Sequence, residues 1–251
     1  MTFIKYVTAC AGACLLWMLF NAGRTNVVQE ELVVPSLPAP FAGKRVFFIS
    51  DIHRRSVPES LTRKAQQADL VIIGGDLLEK GVPYSRIRRN LRRLKQIGPV
   101  LFVWGNNDIE KNTGHLLQLF EEEGVTVLEN STYTWQIGGS VVRVAGAGDR
   151  RLSVDPLLLQ HTADTEPLFL AIHDPAAIWH IKDRSRIDAA LSGHTHGGQI
   201  RIGNLSPGEP AGWKYRFGFP LLISSGFGTT KLPMRLGAPV ETHLIKLKSR
   251  S

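Results

Sequence analysis

Short apolar runs and amphipathic stretches alternate along most of this chain. Strand-like runs, rich in β-branched and aromatic residues, cover 45–50, 70–73, 100–103, 141–145, 168–172 and 221–225. Helical periodicity covers 58–68, 84–97 and 112–123. Because strands and helices alternate early in the chain, the pattern predicts a largely parallel sheet there, while the later segments WQIGGSVVRV and GGQIRIGN are typical of hairpins. We therefore expect one α/β domain with mixed sheets.

The chain begins with a different pattern. From Tyr6 to Ala22 it has 17 residues and no charge, which is the short end of the roughly 17–25 residues that span a bilayer as a helix. The exit of this segment, FNA, lacks the small residue at −3 that signal peptidase needs, which argues against cleavage. We predict a transmembrane signal anchor over 1–22, a linker over 23–43 and a folded domain over 44–251.

The charge balance narrows the choice of partner. The net charge is +8, from 30 Lys and Arg against 22 Asp and Glu, and it favours nucleic acid, a phosphorylated substrate or an anionic membrane surface. Both cysteines, Cys10 and Cys14, lie in the apolar segment, so the domain has neither a disulfide framework nor a thiolate metal site. Lys5 precedes the uncharged segment and Arg24 follows it. This balance specifies the membrane topology weakly, and we expect the folded domain on the extracytoplasmic side.

The predicted helix over 84–97 separates apolar from basic residues. Tyr84, Ile87, Leu91 and Leu94 form one stripe, and six Arg and Lys residues cover the rest of the surface. The simpler interpretation is a solvated face. Contact with anionic lipid headgroups beside the anchor is the alternative.

Oxygen and imidazole ligands follow the predicted strands, at the end where open α/β sheets gather their ligands. Singly, such residues are usually helix caps, turn residues or surface histidines. Five strand ends that all carry them are hard to explain in that way and indicate a metal centre. The residues are Asp51 and His53 in DIH, Asp76 in GGD, Asn106 in GNND, His173 after LFLAI, and His194 and His196 in GHTHGG.

These motifs resemble, in this order, those of the calcineurin-like metallophosphoesterase superfamily: D-x-H, G-D, G-N-x-D, H and G-H-x-H. The match runs from about Lys44 to the C-terminus. The GHTHGGQ form and the ending SSGFGTTKLPMRLGAPVE resemble its membrane-associated bacterial phosphodiesterase branch, some members of which cleave the pyrophosphate of UDP-diacylglucosamine. The resemblance implies a four-layer α/β/β/α sandwich with two mixed sheets and a phosphohydrolase with two divalent metal ions.

The resemblance also assigns the ligands. Asp51, His53, Asp76 and His196 hold one ion, and Asp76, Asn106, His173 and His194 hold the other, so that Asp76 bridges the two. Nitrogen and oxygen ligands suit Mn²⁺, Fe²⁺ or Zn²⁺, and we expect Mn²⁺. Two such ions, about 3.5–4 Å apart, generate a nucleophile at neutral pH and stabilise developing charge during phosphoryl hydrolysis. Asp76, His194 and Asn107 are the residues expected to take part in catalysis.

One position departs from the family pattern, which usually reads Gly-Asn-His-Asp. Here Asn107 stands where that histidine stabilises the phosphoryl group and protonates the leaving oxygen. An amide donates a hydrogen bond to a phosphoryl oxygen, but it delivers no proton at neutral pH. Our hypothesis is that the enzyme prefers good leaving groups, such as activated diesters or pyrophosphates.

Several further residues carry weaker signals. Arg54 and Arg55 follow the D-x-H motif and are candidate phosphate contacts, with a solvated loop as the alternative. The aromatic and basic segment over 211–219 is expected to connect two late strands, either as a packed loop or as a lid over an acyl chain, a base or the membrane interface. The small residues at 226–230 are expected near the rim of the site. The remaining histidines, His115, His161, His180 and His243, match no motif and are expected to be structural.

The sequence therefore predicts an anchored, binuclear metal-dependent phosphohydrolase. Its expected substrate is a phosphodiester or pyrophosphate, either a small molecule or linked to a lipid, beside an anionic membrane surface. A metal-dependent nuclease is one alternative, although no nucleic-acid-binding module accompanies the domain. A metal-binding scaffold with weakened catalysis is the other, because of Asn107.

Overall fold

Two six-stranded mixed sheets form the centre of the computed structural model, which describes residues 2–147, 165–203 and 205–250. Among the described helices are α1 Thr2–Gly23, α2 Glu59–Ala65, α3 Tyr84–Lys95 and α4 Thr113–Glu122. The strands of the first sheet are β1 Val27–Val34, β2 Arg45–Ile49, β3 Leu70–Ile73, β4 Val100–Phe102, β5 Thr126–Val127 and β12 Thr242–Ser249. Those of the second are β6 Ser131–Ile137, β7 Ser140–Gly146, β8 Leu168–Ala171, β9 Ala189–Ser192, β10 Gly212–Arg216 and β11 Phe219–Ile223.

Parallel pairing sends most of the central strands toward one edge of each sheet. The first sheet has the order β1-β12-β2-β3-β4-β5, and only β12 and β2 pair antiparallel. The second has the order β10-β11-β9-β8-β7-β6, with antiparallel pairs at its two ends. The carboxyl ends of β2, β3 and β4 therefore lie together, as do those of β8, β9 and β11. This confirms the predicted α/β fold class with two mixed sheets.

Both faces of the central strands are buried, which explains why they read as continuous apolar runs. In β2, Phe47 and Ile49 pack under the helices, whereas Val46 and Phe48 face the second sheet. The layer between the sheets also takes Phe169 from β8 together with residues of the other inner strands. The outer face of the second sheet packs against the 3₁₀ helix Pro175–His180 in the described part of the chain.

The basic helix α3 is amphipathic as predicted. Ile87, Leu91 and Leu94 are buried against the first sheet. On the outer face, Arg88 and Arg92 pair with Glu122 and Glu123 near the end of α4 at 2.7–2.9 Å, so part of the basic surface is neutralised within the fold. These pairs favour the solvated-face interpretation over headgroup contact.

Part of the predicted linker is a strand. Within 23–43 the structure has β1, which pairs with β12 along its whole length, and the 3₁₀ helix Ala39–Phe41. The strand has the sequence VVQEELVV, whose polar centre suits an exposed sheet edge and hides the strand pattern. Glu31 pairs there with Lys248 of β12 at 2.6 Å. The chain is thus tied to the domain soon after α1.

The aromatic segment over 211–219 also differs from its expected form. It is neither a connecting loop nor a lid, because Gly212–Arg216 is β10 and pairs with β11 in a hairpin. Phe217 lies at the turn of that hairpin, with a φ of 58°, and contacts Trp179 edge to face at 4.7 Å. Alternation along an edge strand explains the interleaved aromatic and basic residues.

His243, expected to be structural, links three strands. Its Nδ1 lies 3.0 Å from Glu30 Oε2 of β1, and its Nε2 lies 2.9 Å from Ser224 Oγ, just after β11. The His243 side chain is almost wholly buried. This chain of contacts ties the edge strand β1 to the loop that follows β11.

Replacing His243 tests that link. We expect His243→Phe to lower the free energy of unfolding by about 1–3 kcal/mol, because Glu30 and Ser224 lose a buried partner. Urea denaturation of the full chain in detergent measures the change. The control is His180→Phe, since His180 is exposed at the end of a 3₁₀ helix. Equal stability of the two variants would contradict the assignment.

Candidate metal centre

All seven predicted ligands meet where the strands end. Asp51 and His53 follow β2, Asp76 follows β3, Asn106 follows β4, His173 follows β8, and His194 and His196 follow β9. Backbone hydrogen bonds join these strand ends: the Asp51 N–H donates to Gly75 O at 2.9 Å, and the Gly193 N–H donates to His173 O at 3.0 Å. The sheet topology, rather than closeness in sequence, assembles the cluster.

One half of the cluster contains Asp51, His53 and His196, whose ligand atoms lie within 4.8 Å of one another. His53 Nε2 is 3.1 Å from His196 Nε2, and His196 Nε2 is 3.4 Å from Asp51 Oδ1. Asp76 Oδ2 is 3.8 Å from His53 Nε2. This is the set predicted for the first ion.

The other half centres on Asp76 and His173. His173 Nε2 is 3.4 Å from Asp76 Oδ2 and 3.2 Å from His194 Nδ1. Asn106 Oδ1 is 3.0 Å from the same His194 nitrogen. This is the set predicted for the second ion, and Asp76 Oδ2 faces both halves.

These separations fit a divalent cation. Ligand bonds of about 2.1 Å put neighbouring ligand atoms about 3.0 Å apart in an octahedron and about 3.4 Å apart in a tetrahedron. Most of the distances above lie close to that interval. The donors are carboxylate, amide and imidazole atoms, which suit manganese, iron or zinc. The residues present therefore fit a metal pair.

The backbone of the site adopts a conformation that non-glycine residues rarely take. Asp51, His53, Asp76, His194 and His196 all have φ between 51° and 70°. A left-handed conformation costs about 1–2 kcal/mol for each such residue. Backbone strain of this kind concentrates at functional sites. Five strained residues in one cluster are independent support that these side chains are held for a purpose.

Hydrogen bonds behind the ligands set which imidazole nitrogen faces the centre. His173 Nδ1 lies 2.9 Å from Gly74 O and donates to it, which leaves Nε2 free as a ligand. His53 Nδ1 is buried without a hydrogen-bond partner, and Glu79 Oε2 lies 3.4 Å from it. Glu79 also pairs with Arg54. Glu79, which the sequence analysis missed, thus lies behind a metal ligand.

Electrostatics in the cluster favour added positive charge. Burial alone would lower the pKa of His173, but the carboxylates of Asp76 and Asp51 raise it to about 10. Burial opposes ionisation of Asp76, yet His173 holds the pKa of that carboxyl below its usual range. His196, by contrast, has its pKa lowered by burial to about 4. Two buried carboxylates therefore compete for limited cationic charge.

Two neighbours of Asn106 organise the loop after β4. Asp108 is fully buried and accepts hydrogen bonds from the N–H groups of Asp76, Leu78 and Gly105 at 2.7–3.2 Å. Burial, together with Asp76, raises the pKa of Asp108 well above its ordinary value. Asn107 donates from its backbone to Asp76 Oδ1 at 2.8 Å and from its side chain to Asp76 Oδ2 at 2.6 Å.

The two arginines after the D-x-H motif differ in position. The Arg54 side chain is exposed at the edge of the site, held by Glu79. The Arg55 guanidinium instead donates to the carbonyl oxygens of Gly23, Arg24 and Phe227 and stacks on the Phe227 ring at 3.8 Å. Burial lowers the pKa of Arg55 to about 10. Arg55 therefore joins the end of α1 to the loop that contains Phe227. Its guanidinium makes these contacts in place of the predicted contact with phosphate.

The small-residue loop at 226–230 lies against the metal centre rather than at its outer rim. The Phe227 N–H donates to Ser50 O at 2.9 Å, and the Gly228 N–H donates to Asp51 O at 2.6 Å. A Cβ at Gly226 would lie 2.7 Å from Asp51 Cβ, so the close approach requires glycine. The loop backs the first ligand directly.

Arg235 is a second residue that sequence reasoning missed. It is fully buried and donates to the carbonyl oxygens of Ser225 and Gly228 at 2.6 Å each. Its Nη2 lies 3.3 Å from His196 Nδ1. Burial lowers its pKa to about 10. The Arg235 guanidinium therefore holds the loop from Ser225 to Gly228, whose carbonyl oxygens face it, around the His196 side chain.

The histidines that match no motif lie away from the cluster where the structure describes them. His115 stacks on Tyr84 at 4.0 Å, and His180 is exposed. His161 lies outside the described residues. None of these adds a ligand to the site within the described ranges.

Comparison with known proteins gives a family match. The family model described as calcineurin-like phosphoesterase matches residues 44–198, which include all seven predicted ligands. The uncharacterized protein YpbG of Bacillus subtilis is 42% identical over 249 residues, covering 97% of this chain and 96% of its own length. The phosphodiesterase YaeI of Escherichia coli is 32% identical over 186 residues, covering 68% of this chain and 66% of its own length.

The fold also has a solved counterpart. The NAD nucleotidase of Haemophilus influenzae superimposes with a TM-score of 0.52 at 14% sequence identity. The superposition covers 74% of this chain and 45% of that protein. At this identity the likeness concerns the fold alone.

Gly105 gives a test of the packing behind Asp76. A Cβ at Gly105 would lie 2.2 Å from Asp76 N and 2.3 Å from Asp76 Oδ1, so we expect Gly105→Ala to displace the predicted bridging carboxylate. Such overpacking costs about 1–3 kcal/mol of stability. We further expect Mn²⁺ affinity, measured by calorimetry, to fall by about tenfold or more, which is about 1.4 kcal/mol of binding free energy.

The matched control is Gly139→Ala, because no atom lies within 4 Å of a Cβ at Gly139. Its Mn²⁺ affinity should equal that of the unmodified chain. If Gly105→Ala also binds Mn²⁺ with unchanged affinity, Asp76 is not held as described.

Proposed function

The chain belongs to the calcineurin-like phosphoesterase family, and from this membership and its ligand cluster we propose that it is a binuclear phosphodiesterase or pyrophosphatase acting at a membrane. Family membership makes it a metal-dependent phosphoric ester hydrolase. Asp76 Oδ2 lies near ligand atoms from both halves of the cluster. This observation supports the proposal of two ions rather than one.

The residues present would hold one ion with Asp51, His53, Asp76 and His196, and the other with Asp76, Asn106, His173 and His194. When bound, such ions activate water and stabilise the charge that develops on the phosphoryl oxygens. Mn²⁺ is our proposal for the native metal. The protein's part is to fix these ligands, through Gly74 O, which accepts from His173, and the buried Arg235, which donates to the backbone oxygen of His196.

Asn107 supports a preference for good leaving groups. Its side-chain nitrogen has two hydrogens, of which one is directed to Asp76 Oδ2, so the second is available to a phosphoryl oxygen. The residue is half-buried and borders solvent. It orients and stabilises a substrate without supplying a proton, so the leaving group must depart as an anion.

Substrate has an open pocket next to the ligands. His194 and His196 line it together with Gln199, Pro207 and Thr230. Arg54 lies at the edge of the cluster beside Glu79 and is the candidate contact for a second phosphate group. A pyrophosphate would use both regions.

Membrane attachment rests on α1. Among the described residues, one helix, Phe3–Gly23, is both long enough and apolar enough to cross a membrane. Its large apolar side chains are exposed along most of its length, unlike those of a core helix. We propose a single-pass anchor with a membrane or lipid-linked substrate. From the charges of Lys5 and Arg24, we propose that the domain lies on the extracytoplasmic side of the membrane.

The direct test is hydrolysis of bis(4-nitrophenyl) phosphate by the full chain in detergent after chelation and reloading. We expect turnover with Mn²⁺ and none after chelation, since the nucleophile depends on the ions. Asp76→Ala should reduce turnover by about 10³-fold or more, because both ions lose a ligand. A loaded protein without turnover would favour the scaffold alternative, and preference for nucleic acid over small diesters would favour the nuclease.

Asn107→His tests the leaving-group hypothesis. A histidine at this position adds a group that protonates the leaving oxygen, which contributes typically about 10²–10⁴-fold where it is needed. We expect Asn107→His to speed hydrolysis of diesters with poor leaving groups, measured as kcat/KM over an aryl series. Diesters with good leaving groups should change little.

Asn107→Gln is the matched control, because it keeps the amide and adds no acid. A flat leaving-group dependence in the unmodified chain, with chemistry shown to limit the rate, would refute the hypothesis.

A further inference from the structure

The end of the apolar helix α1 is fastened to the wall of the metal centre. The Arg235 N–H donates to Met18 O at 3.1 Å, while its guanidinium reaches His196. Arg55, two residues after the ligand His53, donates to the carbonyl oxygens of Gly23 and Arg24 at 3.0 Å each. Arg235 thus contacts both the helix and the predicted ligand His196, and Arg55 lies two residues from the predicted ligand His53.

The chain beyond α1 is held as firmly. Lys64 donates to Thr25 O at 3.4 Å, and Thr242 donates to Asn26 O through its side chain at 2.8 Å. β1 begins at Val27. No free tether lies between the helix and the domain, so the orientation of α1 also sets which face of the domain meets the bilayer.

Two loops beside the pocket carry exposed apolar side chains, which we call the apolar rim: Ile202, Leu205 and Leu232. They are 70%, 78% and 54% exposed. Gln199 joins the two loops by donating to the carbonyl oxygens of Thr230 and Leu232 at 3.0 and 3.1 Å. The loop that carries Leu232 continues to Arg235 and so to α1.

The apolar rim borders the pocket as well. Gln199 and Thr230 line the pocket that contains His194 and His196, and each lies next to a rim loop. Lys231, beside Leu232, is exposed and has a φ of 58°. Exposed apolar tips with a neighbouring cation match the boundary between acyl chains and anionic headgroups.

We infer that the apolar rim inserts into the leaflet from which α1 emerges, so that the pocket opens onto the headgroup layer. The occupant of this surface is the bilayer interface, and the inference rests on the proposed phosphodiesterase function for its substrate class. That class is a phosphodiester or pyrophosphate whose acyl chains stay in the bilayer while its phosphate reaches the ligands. Water-soluble diesters reach the same ligands without using the rim.

Depth measurements test the surface without any activity. Cys10→Ala and Cys14→Ala remove the native thiols, and Ile202→Cys, Leu205→Cys or Leu232→Cys is then labelled with an environment-sensitive dye. Val33→Cys is the matched control, because Val33 is 52% exposed near the far end of β1. In vesicles of phosphatidylcholine and phosphatidylglycerol, we expect quenching by nitroxide lipids at the three rim positions only. Rim dyes as unquenched as the dye at position 33 would overturn the inference.

A kinetic test separates the rim from the chemistry. The triple variant Ile202→Ser, Leu205→Ser, Leu232→Ser should keep its rate on bis(4-nitrophenyl) phosphate within about twofold. Its rate on a diacylglycerol-linked nucleoside pyrophosphate in vesicles should fall by about tenfold or more, because apolar contact with the bilayer is lost. Val33→Ser should change neither rate.

An equal loss on both substrates, or no loss on the vesicle substrate, would overturn the inference. If the unmodified chain failed to hydrolyse the soluble diester with Mn²⁺, the proposed function would fall, while the dye measurements would still decide the fate of the rim.

Discussion

The structure depends on bringing two buried carboxylates and four imidazoles together at one edge of two sheets. Asp51 and Asp76 lie with three of these imidazoles in an almost fully buried cluster, where the charged forms are poorly solvated. Positive charge must compensate for the carboxylates, which already raise the pKa of His173 among the described residues. A divalent ion supplies more charge and uses the lone pairs that face inward. Cations bound here would therefore offset the cost of burying Asp51 and Asp76.

The rest of the fold stabilises that arrangement. Five of the seven predicted ligands adopt a left-handed backbone, a strain that persists only where neighbouring structure over-determines it. That structure consists of buried groups that satisfy the loops: Asp108 accepts from three N–H groups, and Arg235 donates to the carbonyl oxygens of the loop after β11. The Asp108 carboxyl accepts from loops with free N–H donors, and the Arg235 guanidinium donates to a loop with free carbonyl acceptors. Both are buried because their partners are backbone.

The sequence allowed this cluster to be predicted because each of its residues directly follows a buried apolar strand or stands in a short motif after one. The strand periodicity predicted a mixed α/β domain, and the resemblance to a known family predicted its two-sheet architecture. Glu79, Arg235 and the edge strand β1 were missed for a different reason. Their partners lie far away in sequence, as His196 does from Arg235, and their own neighbours show no apolar period. The functional consequence of Arg55 was also mistaken, because adjacency to a motif does not tell which way a side chain points.

The edge strand β1 restricts how the proposed anchor α1 can move relative to the site. A flexible linker of about twenty residues would let the site sample every orientation over a radius of some 25 Å. Here the chain after α1 is bound by Arg55, Lys64 and Thr242 and then enters β1. The helix end and the ligand His196 share Arg235, so moving the anchor strains the loop that positions the ligand. For the proposed function, this coupling would hold the site at a fixed depth in the headgroup layer, since depth and orientation would be set by the same contacts that position the predicted ligands.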